Sequence, residues 1–588
     1  MPFNKYFQDE LAYLREMGRE FSAAYPALAP MLAERGGDPD VERLLEGFAF
    51  LTGRIREKLD DELPELMLTV AQLLFPQLVR PLPATSILEF TPLPSALREA
   101  RIIPAGVEVQ SVPVDGTRCR FRTSGDCVVA PWVLSKVLLQ DVSGGAQELH
   151  LELTLQQTGE LSRILPEVLS LHFAGEPREA LALYAHVLQH THEVVLYDAA
   201  RGMTGPTRVL PAAEFVRAQG FDEDRALLPQ VESAFPGFRL LQEYYIQPAK
   251  FAFVDIAGIR RAAELGPITK LGVALRLSHR LRDVRRVSAE NIRLHCVPIV
   301  NVFETTSEPI RVNQRRERFL VRPAGLGVGH GAVYSIEGVT TVLRGGRRVE
   351  VPSFLSFEHA AEMEDRSRIY YAEHLRSTVV GEGADTYLSL GTAEDSGTIV
   401  DLDVLSVNLL ATNGPLANAL RSGEINEAAP SSPAFAKFKN IGPVSGFVPP
   451  PLGHDLKWRA TAHAAMNLRA LTEPAVLRTA LGVYNLLALV DRQAARANEL
   501  RIEAIRDVRV VPSEKLFRGA CIRGVDITVE LDESGFSGDG DMYLFGSLLE
   551  RLFAEYVAIN SFSRTGIRAL GSNWEAKWPA RNGNQTLL

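Results

Sequence analysis

The first part of the chain repeats apolar residues at intervals of three and four positions, which is the spacing of an amphipathic α-helix. The longest such stripe consists of Val41, Leu44, Leu45, Phe48, Leu51, Ile55 and Leu59. A shorter one consists of Phe7, Leu11, Leu14 and Phe21. Pro39 and Asp40 suit a helix start. We expect Pro64 to break the longer helix or to begin the next one, which has to stop before Pro76.

Two interpretations of these stripes are open. The helices can bury their apolar faces against one another or against the rest of the chain. Alternatively, helices from another subunit complete part of the stripe in a coiled-coil-like bundle. The pattern by itself does not separate the two. For the second interpretation the candidate interface residues are Leu44, Phe48, Leu51, Ile55 and Leu59.

Beyond Arg80 the apolar residues alternate with polar ones, which predicts half-buried antiparallel strands. The clearest examples are at 149–155, 169–173 and 271–277. Helix-like and strand-like segments then alternate after the proline-rich stretch at 443–453, with a long helix expected from about Met542 to Asn560. The predicted fold class is therefore α+β, with a helical start, a β-rich middle and a mixed α/β C-terminal part.

The chain has 588 residues, too many for one hydrophobic core, and its length predicts about three or four domains. We place a helical segment at 1–80, a β-rich domain at 81–260, a second β-rich or mixed domain at 261–442 and a mixed α/β domain at 443–588. The boundary at 443 is the best marked, because the three consecutive prolines at 449–451 favour an extended connection.

Charge and cysteine content narrow the function classes. A formal net charge of -9 gives no general attraction to nucleic acid or to an anionic membrane. An arginine-rich stretch beginning at Arg276 and Arg280 is interrupted by acidic residues and is typical of an ion-paired surface; docking to an acidic partner is the alternative. The four cysteines form no CxxC pair, and the start of the chain lacks a secretory signal, so we expect a cytoplasmic protein.

No motif in the sequence predicts catalysis, a cofactor or a metal. His186 and His190 have the i, i+4 spacing of a zinc-binding pair, with His192 close by, but the HExxH glutamate is missing, so a surface or interstrand histidine cluster is the better interpretation. The alternating glycines at 325–331 lack the Lys-Ser/Thr of a phosphate loop, and 539–550 lacks the glycine of a calcium loop. No serine lies in a GxSxG elbow.

Short segments in order along almost the whole chain resemble the TssF (ImpG/VasA) family of type VI secretion baseplate subunits. The segments are ELAYLREMGREF at 10–21, DPDVERLLEGFAFL at 38–51, PQLVRPLP at 76–83, YY at 244–245, FAF at 251–253, HCVPIVNVFE at 295–304, ATNG at 411–414, AINSF at 558–562 and WPAR at 578–581. One departure is TGIR at 565–568, where the family pattern is more apolar, which puts the contacts of that stretch in doubt.

The resemblance implies a structural wedge subunit, similar to the wedge proteins of contractile phage tail baseplates, that needs no cofactor. Its implied partners are TssG, with two copies of this chain per TssG, then TssK, TssE and the VgrG/Hcp spike and tube region, together with other copies of itself. It implies a cytoplasmic baseplate docked at the inner membrane complex through other subunits. The alternative function class is a multidomain cytoplasmic hydrolase whose site is built from scattered residues.

Overall fold

The computed structural model describes residues 2–24, 39–142, 145–156, 164–229, 236–281, 284, 287–313, 316–343, 348–355, 369–378, 383–392, 402–452, 454–464, 468–517 and 520–583. In these residues helices dominate the start of the chain, strands dominate the middle, and the C-terminal part contains both. The predicted α+β class is confirmed. The domain boundaries at 80, 260 and 442 stay predictions.

The helices are concentrated at the two ends of the chain. Their bounds are α1 (Pro2–Ala24), α2 (Pro39–Leu74), α3 (Pro76–Val79), α4 (Pro177–His190), α5 (Ala212–Phe215), α6 (Pro236–Ile246), α7 (His454–Ala464), α8 (Leu468–Leu471), α9 (Pro474–Val483), α10 (Arg492–Glu503) and α11 (Asp539–Glu555). The expectation that a helix ends or begins at Pro64 is wrong, because α2 continues through it. Proline removes one backbone donor, and the turns on either side keep their own hydrogen bonds.

Strands form most of the remaining structure. Their bounds are β1 (Thr85–Pro92), β2 (Arg101–Ile103), β3 (Glu108–Val114), β4 (Thr117–Thr123), β5 (Cys127–Val129), β6 (Trp132–Asp141), β7 (Gln147–Leu155), β8 (Val168–Phe173), β9 (Thr191–Asp198), β10 (Thr207–Pro211), β11 (Val216–Ala218), β12 (Phe253–Ala257), β13 (Lys270–Leu277), β14 (Ile292–Arg293), β15 (Cys296–Val300), β16 (Phe303–Thr306), β17 (Ile310–Arg311), β18 (Phe319–Leu320), β19 (Ala332–Leu343), β20 (Arg348–Val351), β21 (Ile369–Ser377), β22 (Ala384–Thr392), β23 (Leu402–Thr412), β24 (Ile425–Ala428), β25 (Ala436–Asn440), β26 (Ile505–Phe517), β27 (Ala520–Leu531), β28 (Phe562–Ala569), β29 (Glu575–Lys577) and β30 (Arg581–Asn582).

The middle of the chain is organised by antiparallel sheets that join distant segments. A six-stranded sheet has the order β24-β3-β4-β15-β1-β25, so that β1 pairs with β15 on one side and with β25 on the other. A five-stranded sheet has the order β10-β9-β13-β7-β6, and a four-stranded sheet the order β11-β12-β8-β14. We call these three sheets, together with the helices that pack against them, the packed body.

Strand β7 follows the predicted alternation, with Leu149, Leu151 and Leu153 fully buried. The half-buried prediction is wrong for β13, whose residues 271–275 are all buried. Gly272 explains the difference, since a Cβ at this position would lie 2.2 Å from Cζ of Tyr197. The tyrosine ring therefore covers the face of β13 that was expected to meet solvent.

Two smaller sheets lie beside the packed body. One has the order β16-β23-β19-β20, with β17 also paired to β23, and the other has the order β18-β22-β21. They share a small apolar core that includes Val339, Leu388 and Leu405. Residues 441–452 contain no helix or strand apart from a bridge of Val448 to Leu82, in agreement with the predicted extended connection.

The C-terminal part packs α11 against a sheet of order β26-β27-β28-β29, in which β27 and β28 run parallel and β30 also pairs with β28. The helix expected from Met542 to Asn560 is present but ends at Glu555. The TGIR segment lies in β28, where Thr565 and Ile567 are buried. Its departure from the family pattern thus places a threonine at a core-facing position of an otherwise regular strand.

Candidate subunit interface on the helix pair

Helices α1 and α2 pack against each other at the start of the chain, and we call them the helix pair. Among the described residues, α2 is the element with which α1 makes its extensive contact. The buried residues at this contact are small or medium-sized: Leu11 of α1 with Ala49 and Gly53 of α2. Small side chains let two helix backbones approach closely, so the pair packs without large apolar groups between its members.

The opposite face of α2 carries large apolar side chains exposed to solvent. Leu44 is 71% exposed, Phe48 57%, Leu51 60% and Ile55 59%. Spacings of four, three and four residues place them in one row along the helix, and we call this row the apolar stripe. The sequence pattern had singled out these residues together with Leu59, whose side chain lies outside the described part of the structure.

An ion pair on the packed side of α2 links the two helices. Arg15 of α1 forms an ion pair with Glu42 of α2, and both side chains are three-quarters buried. Asp40 and Arg43 form a longer contact of 3.7 Å in the first turn of α2, where both are almost fully exposed. The Arg15–Glu42 pair links the two helices, and the apolar stripe lies on the far side of α2.

The size of the exposed side chains indicates how much free energy a partner would gain by covering the apolar stripe. Complete burial of one leucine, isoleucine or phenylalanine side chain contributes about 1.5–3 kcal/mol. The four side chains are 57–71% exposed, so covering them contributes that fraction of the full value and offsets part of the roughly 4–15 kcal/mol that association of two proteins costs. A row of this size is unusual on an isolated soluble chain, and it is typical of a surface that another helix covers.

Further exposed apolar residues near the helix pair were missed in the sequence. Tyr13 and Met17 lie on the exposed side of α1, Phe50 lies off the stripe of α2, and Leu73 and Leu74 lie at the end of α2. They fall outside the three-and-four spacing on which the prediction was based. They could have been recognised in the sequence as large apolar residues on the otherwise polar faces of two amphipathic helices.

The expected surface cluster is present in part: His192 is exposed on β9 and His190 is half-buried, whereas His186 is not at the surface. His186 is buried at the end of α4, and its Nε2–H donates to the carbonyl oxygen of His279 at 3.0 Å. The ring centroids of His186 and His190 are 4.7 Å apart, and those of His190 and His279 are 4.5 Å apart. Burial, with a smaller effect of His190, lowers the pKa of His186 to about 4.

The arginine-rich stretch is ion-paired at its start, at Arg276 and Arg280. Arg276 contacts Glu148 at 3.1 Å and Glu193 at 2.9 Å, and Arg280 pairs with Asp141. Arg282, Arg285, Arg286 and Arg315 lie outside the described residues. The solvated surface with ion pairs is therefore the better description of the described part.

Two of the sequence segments that carry the family resemblance meet in the structure. Asn301, in the segment HCVPIVNVFE, accepts hydrogen bonds through Oδ1 from the backbone N–H of Asn413 at 2.8 Å and from Oγ1 of Thr412 at 2.7 Å. Its Nδ2 donates to Oδ1 of Asn413 at 2.9 Å. All three residues are fully buried, so the two segments form one hydrogen-bonded joint at the ends of β15 and β23.

Comparisons with known proteins show the family to which the chain belongs. The family model for the type VI secretion system protein TssF matches residues 2–585. The chain is 29% identical to type VI secretion system component TssF1 of Pseudomonas aeruginosa strain PAO1, over 99% of each protein. None of the helices in the described residues combines the length and apolar character needed to cross a lipid bilayer.

Two solved structures resemble the fold. One is a chain of the TssK-TssF-TssG baseplate subcomplex of a type VI secretion system, with a TM-score of 0.76 and 29% identity over 93% of this chain and 99% of that one. The other is a chain of a type VI secretion baseplate complex, with a TM-score of 0.58 and 25% identity over the full length of both.

The family match and the two solved structures thus define a structural component of a type VI secretion system baseplate. Within that class the chain belongs to the TssF family, because the family model covers nearly all of its residues.

Proposed function

We propose that this protein is a wedge subunit of the type VI secretion baseplate and that the apolar stripe on α2 is one of its interfaces. The observation that carries the proposal is the row of four large apolar side chains, each more than half exposed, on a helix whose other face is already packed. The relatives of similar fold occur in a TssK-TssF-TssG subcomplex and in a baseplate complex, which supports TssG and TssK as partners.

The finer assignment follows the family resemblance. The subunit forms a complex with TssG, with two copies of this chain per TssG, and helps to connect TssK, TssE and the VgrG/Hcp spike and tube region. Copies also associate with one another within or between wedges. In this role the protein organises assembly and firing of the sheath and tube, it works in the cytoplasm, and it reaches the inner membrane complex only through other subunits.

The work of such a subunit is done by interfaces, and we propose that it is not an enzyme. A helix bundle shared between chains can hold several subunits in a fixed orientation and can still repack, because its contacts are apolar and have no strict direction. The apolar stripe provides that kind of contact.

The test is coexpression of the chain with TssG and copurification on a tag carried by TssG. Replacement of Phe48 and Leu51 together by glutamate should abolish copurification, since it places two charges in the proposed contact. The matched control is Phe50→Glu. Phe50 is 50% exposed and lies roughly 200° around the helix from Phe48. The control should copurify as the unchanged chain does.

Circular dichroism and thermal unfolding of each variant show whether the rest of the chain is folded. If the double variant is folded and still copurifies with TssG in the same ratio, the stripe is not the interface and this part of the proposal is wrong. Equal loss in the Phe50→Glu control would likewise contradict it, because the contact would then not be specific to the stripe.

A further inference from the structure

A cavity of about 220 Å³ lies where the helical start of the chain meets the smaller sheets. Its walls come from the segment that follows α3, from β19, β21 and β22, and from the extended connection at 447–450. Residues far apart in the sequence therefore line one partly open space. The helix-pair interface does not include this cavity, and the proposed wedge function does not use it.

Two opposite charges line the cavity without touching each other. Arg80 comes from the end of α3, and Glu373 comes from β21. The structure shows no ion pair between them, although Arg80 acts on the Glu373 carboxylate from a distance. Among the described residues, no group donates a hydrogen bond to this carboxylate. The guanidinium of Arg80 lies 5.4 Å from the ring centroid of Tyr334, another lining residue, and donates a hydrogen bond to the hydroxyl of that tyrosine.

The protonation behaviour of Glu373 agrees with a carboxylate that lacks a partner. Burial raises its pKa to about 7, and the more distant Arg80 only partly counteracts this. A cationic group placed against Glu373 would favour the ionised form and remove most of the cost of burying the charge. A cation bound at Glu373 would give the cavity an excess positive charge beside Arg80, which a negative group on the same ligand would balance.

The rest of the lining is divided between hydroxyl and apolar groups. Ser335 and Thr386 are buried hydroxyl residues of the wall, and Val79, Ile336 and Phe447 supply apolar surface. The volume exceeds what a few water molecules need, since each takes about 30 Å³. It is smaller than the roughly 300–1,000 Å³ of sites for drug-sized ligands. Only a compact molecule fits.

We propose that this cavity binds a small zwitterion of the α-amino-acid class, with its ammonium group on Glu373, its carboxylate on Arg80 and a short aliphatic side chain on the apolar wall. A phosphate would meet the carboxylate of Glu373, and a polyamine would meet the guanidinium of Arg80. A molecule that carries both charges satisfies both residues. The bound zwitterion would tie β21 to the segment after α3.

The experiment is isothermal titration calorimetry on the purified full-length chain with L-valine as the probe. Isobutylamine carries only the positive group and isobutyrate only the negative one, so they serve as half-ligands of similar size. We expect one saturable site for L-valine and binding at least ten times weaker for either half-ligand. Absence of saturable binding up to about 10 mM, or equal binding of a half-ligand, would overturn the proposal.

Variants assign the binding to the cavity. Glu373→Gln and Arg80→Gln should each weaken L-valine binding at least tenfold. The control Glu350→Gln changes an exposed carboxylate on β20, outside the cavity wall, and should leave it unchanged. Unaltered binding in both cavity variants would contradict the proposal. If a cavity variant does not fold, the comparison of L-valine with its half-ligands on the unchanged chain decides the matter.

Discussion

The helix pair and the centre of the packed body differ in what they bury: small side chains in the first, and a paired charge in the second. In the helix pair the buried contact uses Ala49 and Gly53, and the large apolar side chains face solvent. In the packed body, α6 carries Glu243, a fully buried carboxylate with several partners. Helix α1 thus leaves the apolar stripe of α2 uncovered, whereas groups of the same chain compensate the buried charge on α6.

Several groups of the same chain surround the Glu243 carboxylate. Its Oε1 accepts hydrogen bonds from the backbone N–H groups of Leu227 at 2.8 Å and Leu228 at 3.0 Å. Its Oε2 forms an ion pair with Lys250, which is also fully buried. Arg239 lies 3.7 Å away. A buried charge with so many directed contacts cannot be repacked in small steps, unlike the apolar stripe.

The largest effect should follow the loss of Lys250. Lys250→Met leaves the Glu243 carboxylate buried without its closest cation, which costs about 3–5 kcal/mol in such sites. We expect about 3 kcal/mol, because Arg239 and the two backbone donors remain. Urea unfolding followed by far-UV circular dichroism measures the change. The double variant Glu243→Gln/Lys250→Met should recover part of the loss, and a loss of less than 1 kcal/mol in Lys250→Met would contradict this account.

Local sequence patterns predict much of this contrast. The three-and-four spacing locates α1 and the stripe on α2, and the alternation at 149–155 locates β7, because both patterns report the period of the element itself. The side on which α1 packs is not encoded in the spacing. It depends on Ala49 and Gly53, two small residues that are not part of the apolar three-and-four pattern.

Other features depend on contacts between distant residues and could not be predicted. The burial of both faces of β13 requires Tyr197 to lie over Gly272, and the pairing of β1 with β25 joins residues more than 340 positions apart. Continuation of α2 through Pro64 depends on the turns around the proline. The cavity between Arg80 and Glu373 likewise arises only when β21 is placed beside the end of α3.

Acidification should weaken the packed body and spare the helix pair. Burial lowers the pKa of four buried histidines to about 4: His172, His186, His295 and His463. The unfolded chain binds these protons near pH 6.5 and the folded chain only near pH 4, so stability falls as the pH drops from 6.5 toward 4. Neither described helix of the pair contains a histidine.

The contribution of one histidine can be measured separately. At pH 5 each such residue costs up to about 2 kcal/mol, from roughly 1.5 pH units at 1.36 kcal/mol each. His186→Gln retains a donor for the His279 carbonyl and removes the titration. Its free energy of unfolding should therefore fall by about 2 kcal/mol less between pH 7.5 and pH 5 than that of the unchanged chain. Equal pH dependence of the two proteins would contradict the assignment.

The smallest effect on overall stability should come from overpacking the helix pair. Ala49 is fully buried against α1, and Ala49→Leu forces three extra carbon atoms into that contact, a change that costs about 1–3 kcal/mol where it occurs. Because α1 makes its extensive contact with α2, the cost falls on the pair and not on the packed body. We expect faster amide hydrogen exchange in α1, measured by mass spectrometry. The unfolding midpoint of the packed body should not change.

A matched substitution in the same helix separates packing from helix propensity. Gly47 is exposed, and a Cβ at this position has no atom within 4 Å, so Gly47→Ala fits without contact. Alanine favours a helix over glycine by about 1 kcal/mol, and exchange in α2 should therefore slow. If Ala49→Leu leaves exchange in α1 unchanged, the two helices are not held together at Ala49. If Ala49→Leu also lowers the unfolding midpoint of the packed body, the helix pair and the packed body unfold as one unit, and the contrast between them is wrong.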